Sequence, residues 1–194
     1  MARKKEKISI RILLLFCLFG STVLGQKPSY INPGLLSAST TLSPAMMLNR
    51  SEVNYYVTGF LEGRIDKRIS LRGELHYMLG NANDKFLKNN LRTTFGLQYG
   101  IPFGNFELHA GFAPGFSVMQ SNVDPSNTEF VPSAQFNVGA RFYVWKLFHF
   151  FTNISYIHSK MNNLDRVNGM SDELMFSVGL GLNFQVLKKY RQHE

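Results

Sequence analysis

The segment Leu174–Val186, L-M-F-S-V-G-L-G-L-N-F-Q-V, alternates from end to end. Leu174, Phe176, Val178, Leu180, Leu182, Phe184 and Val186 are large and apolar, while the positions between them are Met175, Ser177, Gly179, Gly181, Asn183 and Gln185. Strict period two is the pattern of a β-strand with two unlike faces, because successive side chains leave a strand on opposite sides. A helix would need its apolar residues at a spacing of three and four, and this run has none of that character.

The same alternation recurs upstream, and its spacing predicts eight strands. Strand one spans about Leu35–Leu48, with Leu36, Ala38, Thr40 and Leu42 opposite Ser37, Ser39, Thr41 and Ser43; Pro44 puts its second half at odds with a hydrogen-bonded ladder. Strand two, Val53–Ile65, sets Tyr55, Val57, Leu61 and Ile65 against Asn54, Thr58, Glu62 and Arg64, and strand three, Arg68–Leu79, sets Ile69, Leu71, Leu75, Tyr77 and Leu79 against Ser70, Arg72, Glu74 and His76. Strands four (Leu91–Ile101), five (Phe106–Met119) and six (Phe130–Trp145) repeat the pattern, placing Arg92, Glu107, His109 and Arg141 on polar faces. Strand seven, Phe148–Ser159, alternates less cleanly, since Phe151 and Ile157 share a face with Asn153 and Ser155. Short turns at 66–67, 102–105 and 146–147 take turns with longer polar connections at 80–90, 120–129 and 160–173. Tight turns at one rim and long loops at the other are the layout of a transmembrane barrel, and an even strand number leaves both ends of the barrel at the tight-turn rim.

The N-terminus has the form of an export signal over residues 1–25: Arg3, Lys4, Lys5 and Lys7 precede an apolar run from Ile12 to Phe19, and small residues at Val23 and Gly25 offer a cleavage site before Gln26. Residues 26–34, with two prolines, form a periplasmic lead-in, residues 35–186 the barrel, and residues 187–194 a basic tail. The sole cysteine, Cys17, lies in the leader, and Phe16 before it is too large for a lipidation site, so the exported chain has no disulfide and no thiolate. Removing Arg3, Lys4, Lys5, Lys7 and Arg11 from the 21 Lys and Arg, and Glu6 from the 13 Asp and Glu, leaves 16 and 12, a net charge of +4 rather than +8. The basic isoelectric point therefore belongs mostly to the leader, and a nucleic-acid partner loses its support. No later stretch approaches the length of a membrane-spanning helix.

Alternation does not say which face points inward; the composition of the polar faces does. They carry almost no lysine, which a water-exposed face would use freely. They are rich in glycine and serine (Ser37, Ser39, Ser70, Gly96, Gly111, Gly115, Ser117, Gly139, Gly179 and Gly181), as an eight-strand lumen with room only for packed side chains requires. Their charges have both signs, Glu62, Glu74 and Glu107 with Arg64, Arg72, Arg92 and Arg141, which predicts a lumenal ion-pair network. Tyr55, Tyr77, Tyr99, Phe103, Phe106, Phe130, Phe142, Phe148, Tyr156 and Phe184 fall toward strand ends on the apolar face, where interfacial girdles sit. His76 and His109 read as hydrogen-bonded lumen fillers, and no spaced His/Asp/Glu cluster defines a metal site.

Over Leu35–Val186 this pattern resembles the small eight-stranded outer-membrane β-barrels of the OmpA/OmpX-like type. Ser177, Gly179, Leu182 and Phe184 match the C-terminal assembly signal of such proteins, although here Gln185–Glu194 follow the aromatic residue. The resemblance implies an all-β, up-and-down antiparallel barrel in the outer membrane of a Gram-negative bacterium, with outer-membrane lipid and the barrel-assembly machinery as partners and no cofactor. The leading reading is a structural, adhesion or accessory role, without enzymatic activity, in which a rigid barrel presents the polar loops 80–90, 120–129 and 160–173. An enzyme acting on lipid is a competing reading, with His158, Ser159 and Asp165 or Asp172 as candidates; neighbouring strand residues point to opposite faces, which sets Ser159 against it. A narrow channel is the third reading, and it would require the lumenal ion pairs to rearrange.

The terminal strand carries a direct test. Phe184→Asp places a charge on the lipid face and removes the aromatic of the assembly signal, so the full chain should lose the heat-dependent gel-mobility shift of a folded barrel. Gln185→Ala should migrate as the parent does.

Overall fold

The computed structural model describes residues 30–82, 86–161 and 170–187. Eight strands follow one another: β1 (Leu35–Met47), β2 (Val53–Arg64), β3 (Ile69–Asn81), β4 (Leu87–Phe103), β5 (Phe106–Ser121), β6 (Thr128–Tyr143), β7 (Phe148–Lys160) and β8 (Met170–Gln185). Each pairs antiparallel with its sequence neighbours, and β1 pairs with β8 to close the barrel. No helix among the described residues is long and apolar enough to cross a membrane, which has no bearing on a barrel. The expected leader 1–25, residues 26–29 of the lead-in, Asp165 and the tail beyond Leu187 lie outside the described residues.

The stagger of the barrel follows from its pairings. Starting at Ser133 and stepping from strand to strand gives Gly115, Thr94, Glu74, Phe60, Ser39, Gly181, His149 and finally Tyr143, back on β6. One circuit therefore descends from residue 133 to residue 143, a shear of ten for eight strands. With ordinary strand spacings this tilts the strands by roughly 40°. Strands of 12 to 17 residues are then ample for a hydrocarbon layer, which needs about 9–11.

Parity assigns the faces throughout. Outward positions are apolar and exposed along every strand, among them Leu42, Leu61, Phe95, Phe136, Phe150 and Val178, whereas Glu62, Arg72, Glu74, Arg92, Glu107 and Arg141 are buried inside. All ten girdle aromatics leave the barrel outward.

The strands exceed their sequence-derived bounds chiefly at the loop rim. β4 begins at Leu87 rather than Leu91, β6 at Thr128 rather than Phe130, and β8 at Met170 rather than Leu174, so the long connections shrink. Polar residues such as Asn89, Asn90 and Ser171 read locally as loop formers, but ladder pairing across the rim overrides that preference. One consequence is that Lys88, which the sequence places in a loop, stands within β4. Gly104, with φ of 65°, takes the first position of the two-residue turn between β4 and β5, where the turns that suit a two-residue hairpin call for a positive φ.

Pro44 does not end β1, which continues to Met47 by pairing with β2. The cost falls on the closing seam. The pairing of β1 with β8 runs over Leu35–Ser39 and Ala45–Met47 and is interrupted between them. There, side-chain hydroxyls cross the gap: Ser39 Oγ donates to the Leu180 carbonyl at 2.9 Å and Thr41 Oγ1 to the Val178 carbonyl at 2.6 Å, while Ser43 and Ser177 bond through their hydroxyls at 2.7 Å.

Glycine on the inner face is a packing requirement at specific places. A Cβ on Gly96 would lie 2.0 Å from the Phe112 carbonyl oxygen, whereas outward-facing Gly63 has nothing within 4 Å. Gly96→Val should therefore destabilise the folded barrel by about 3 kcal/mol or more in reversible urea unfolding, and Gly63→Ala should be neutral or slightly stabilising.

Candidate functional site

The lumen of the barrel is divided by height into two zones. The zone nearer the tight turns is ionic. Arg141 grips Glu62 with both terminal nitrogens, Nη1 to Oε1 at 2.7 Å and Nη2 to Oε2. Glu62 also accepts from Ser70 Oγ at 2.7 Å and faces Arg72 at 3.6 Å and Arg64 at 3.9 Å. Arg72 pairs with Glu74 at 2.5 Å, and Glu74 accepts from Gln135 Nε2 at 2.9 Å. Arg64 holds both oxygens of Glu107, at 2.6 and 2.7 Å, and Tyr143 donates its hydroxyl to the same carboxylate at 2.9 Å. Six charged side chains from four strands thus form one connected network whose members are almost wholly sealed from solvent. Phe60 is its packing centre, with the guanidinium of Arg72 3.9 Å from the ring centroid, that of Arg141 at 5.8 Å, and Phe151 edge-on at 5.2 Å.

Arg92, the seventh residue expected in the network, stands apart. Its Nη2 donates to Glu173 at 2.8 Å and its Nε to Ser117 at 3.0 Å. Glu173 further accepts from Asn54 Nδ2 at 2.7 Å and from the Tyr56 hydroxyl at 2.8 Å, and Tyr56 in turn accepts from Asn90 at 3.1 Å. Nearer the loop rim, Glu52 accepts from the backbone amides of Phe86 and Leu87 and from Asn81, tying the first connection to the second.

Around and above this second cluster a large apolar cluster shares the lumen with the buried polar groups, so the lumen is not polar throughout. Ala45, Met47, Tyr56, Met78, Phe86, Leu87, Met119, Val131, Ile157, Met161 and Met175 form one buried cluster at the loop end. Five of its members are methionines, side chains flexible enough to fill irregular space between strands. The residues Tyr56, Phe60 and Glu173 escaped the sequence reading, although parity marks each of them. Tyr56 and Phe60 share a face with Asn54, Thr58 and Glu62, and Glu173 shares one with Met175 and Ser177 once β8 is extended by four residues.

The other sequence candidates fall into place singly. His76 contacts Thr58 at 3.1 Å and Gln135 at 3.2 Å within the lumen, and His109 is buried there as well. Ser177 and Gly179 face the lumen, whereas Leu182 and Phe184 face outward. His158 and Ser159 lie on opposite faces, with Ser159 fully buried in the lumen and the His158 side chain 47% exposed on the outside. His158 Nδ1 instead meets Asp172 Oδ1 at 2.5 Å across the β7–β8 pair. Among the described residues no group of three or more His, Cys, Asp or Glu could hold a metal ion.

This arrangement of closed ladder, apolar exterior and filled lumen has counterparts among known proteins. The family model of the outer membrane protein beta-barrel domain matches residues 13–184. The chain belongs to that family. It is thus an outer-membrane β-barrel protein of the Gram-negative envelope. No curated protein matches it significantly. Among solved structures it is similar to the outer membrane protein OprG from Pseudomonas aeruginosa (TM-score 0.60, 11% identity, 82% of this chain and 100% of that one). It is also similar to Neisserial surface protein A (0.54, 9%, 78% and 96%) and to the N-terminal barrel of Pseudomonas aeruginosa OprF (0.53, 11%, 78% and 98%). At these identities the likeness is one of fold.

The ion pairs make a quantitative expectation. Glu62→Gln leaves Arg141 and Arg72 short of a counter-charge and should cost about 3–5 kcal/mol in urea unfolding. Combining it with Arg141→Gln should cost less than the two single changes together, by about 1–3 kcal/mol of coupling in a double-mutant cycle.

Proposed function

We propose that this protein is a non-enzymatic, plugged barrel that serves as a structural, adhesion or accessory component of the outer membrane and presents its loop rim to partners outside the cell. The observation that carries this reading is the filling of the lumen along its height, by the Glu62–Arg141 network below and by the methionine-rich cluster above. A bore occupied by ion pairs and sealed by an apolar cap offers no continuous path for a hydrated solute. What is left for recognition is the rim, where connections on a rigid scaffold can vary without disturbing the barrel. Export through a cleaved leader and delivery to the barrel-assembly machinery complete the reading, supported by the basic and apolar run at the N-terminus and by Ser177, Gly179, Leu182 and Phe184.

Against the catalytic alternative stands the position of its candidate serine. The exposed His158–Asp172 pair has Ser159 behind it, on the other side of the sheet.

Planar-bilayer recording of the purified full chain tests the plug: conductance should stay at background, and steady openings well above it would overturn the reading. Replacing residues 122–127 by a Gly-Ser linker should keep the heat-dependent mobility shift while abolishing crosslinks to an outside partner in whole cells; unchanged crosslinks for this and the other two loops would remove the rim from that role.

A further inference from the structure

The outer wall of the barrel is apolar with few exceptions, and the exceptions are not scattered. Within the eight strands the charged or titratable side chains outside the lumen, tyrosines aside, are Lys88, His158, Asp172 and Lys160. All four lie at the loop rim, and three of them share the β7–β8 pair. Toward the opposite rim the wall runs through Tyr156, Leu174, Ile154, Phe176, Val178 and Leu180, with only Thr152 interrupting it on these two strands. His158, Asp172 and Lys160 therefore begin where the lipid-facing band ends, at the depth of the outer-leaflet headgroups.

The site is built rather than incidental. The Asp172 carboxylate receives His158 Nδ1 on one oxygen at 2.5 Å and Asn49 Nδ2 on the other at 3.0 Å, and it also bonds the Tyr156 hydroxyl. Its backbone carbonyl accepts from the Leu48 amide at 2.8 Å, fixing the strand beneath it. The carboxylate is thus saturated and shielded, with its side chain 15% exposed, while the imidazole it orients is 47% exposed. Binding through Nδ1 leaves Nε2 free of Asp172, and Lys160, two residues on along the same face of β7, is exposed on the same side of the wall. Opposite His158 on β6 stands Ala134, followed down that strand by Phe136, so an apolar strip of wall lies directly below the donors.

We propose that His158 and Lys160, with Asp172 as the positioning residue, form a binding site for the phosphate headgroup of an outer-leaflet lipid whose acyl chain lies along β6 and β7. A phosphate can meet the Lys160 ammonium and the His158 ring nitrogen at once, and charge-assisted hydrogen bonds to the ammonium gain strength at the edge of a low-dielectric layer. A soluble anion would meet the same donors but would leave the apolar strip below them uncovered. The inference rests on the membrane placement of the barrel and not on the role proposed for its rim.

Native mass spectrometry of the full-length chain in a non-ionic detergent tests it, with phosphatidic acid, diacylglycerol of the same chains and inorganic phosphate as probes. Phosphatidic acid should bind as a single discrete adduct, at least about tenfold more tightly than diacylglycerol. His158→Ala combined with Lys160→Ala should remove that preference while keeping the heat-dependent mobility shift, and Lys88→Ala should leave it intact. Millimolar inorganic phosphate should not displace the lipid. Equal binding of phosphatidic acid by the parent and the double variant would overturn the proposal, as would equal binding of diacylglycerol. Displacement by inorganic phosphate would reduce the site to a simple anion site and overturn its lipid assignment. Loss of the mobility shift in the parent chain would instead strike the barrel itself, which separates the two failures.

Discussion

Hydrocarbon supplies no hydrogen bonds, and most of this structure follows from that single constraint. Every backbone amide and carbonyl between the two rims must find a partner within the protein, and a sheet achieves this only by having no edge. Closure of β1 on β8 then forces every strand to send alternate side chains to lipid and to lumen. The period of two in the sequence is the imprint of that requirement. So is the division of labour at each position, with leucine and phenylalanine outside and arginine, glutamate, serine and glycine inside. Even the interrupted seam obeys it, since Ser39 and Thr41 lend hydroxyls to carbonyls that the ladder leaves without a backbone partner.

The lumen poses a second problem, because eight strands enclose a space too narrow for bulk water and too wide to leave empty. Isolated buried charges would be prohibitively costly there, and pairing alone does not always compensate for their lost hydration. The observed solution adds further contacts to every pair: Ser70 on Glu62, Tyr143 on Glu107, Gln135 on Glu74, and the faces of Phe60 toward two guanidiniums. Arginine suits this role because a planar, weakly hydrated fork can bind a carboxylate at two points and stack on a ring at the same time. At the loop end the task changes to excluding water from the network, and the methionine-rich cluster fills that zone with adaptable apolar bulk.

Much of this was legible from the residues alone. Alternation marked the strands and set Glu62, Arg64, Arg72, Glu74, Arg92, Glu107 and Arg141 on one face, the make-up of that face turned it inward, and the even strand count returned both ends of the barrel to one rim. What parity could not supply was partnership. Arg92 looks equivalent to the other arginines in the sequence, yet the tilt of the strands carries it past Glu74 and Glu107 to Glu173, a residue 81 positions away. Such a match depends on the shear of ten, which no single strand encodes. The rim was misjudged for a related reason, because Asn89, Asn90 and Ser171 have the composition of loops but sit where neighbouring strands still offer unpaired backbone. The apolar cap was hidden by its chemistry: methionine is unremarkable on either face, and only the convergence of β1, β3, β5 and β8 with the connection after β7 gathers five of them together.

Pro44 has a consequence for the chain before it reaches the membrane. Until the barrel closes, β1 is an open edge, rich in Ser and Thr, with a row of backbone groups available to any extended segment that passes. A proline in its second half removes one donor from that row and denies a foreign strand a continuous template. The seam thus carries its weakest backbone pairing at the place where an uninterrupted ladder would be most hazardous in transit, when the unassembled chain must cross an aqueous compartment without aggregating.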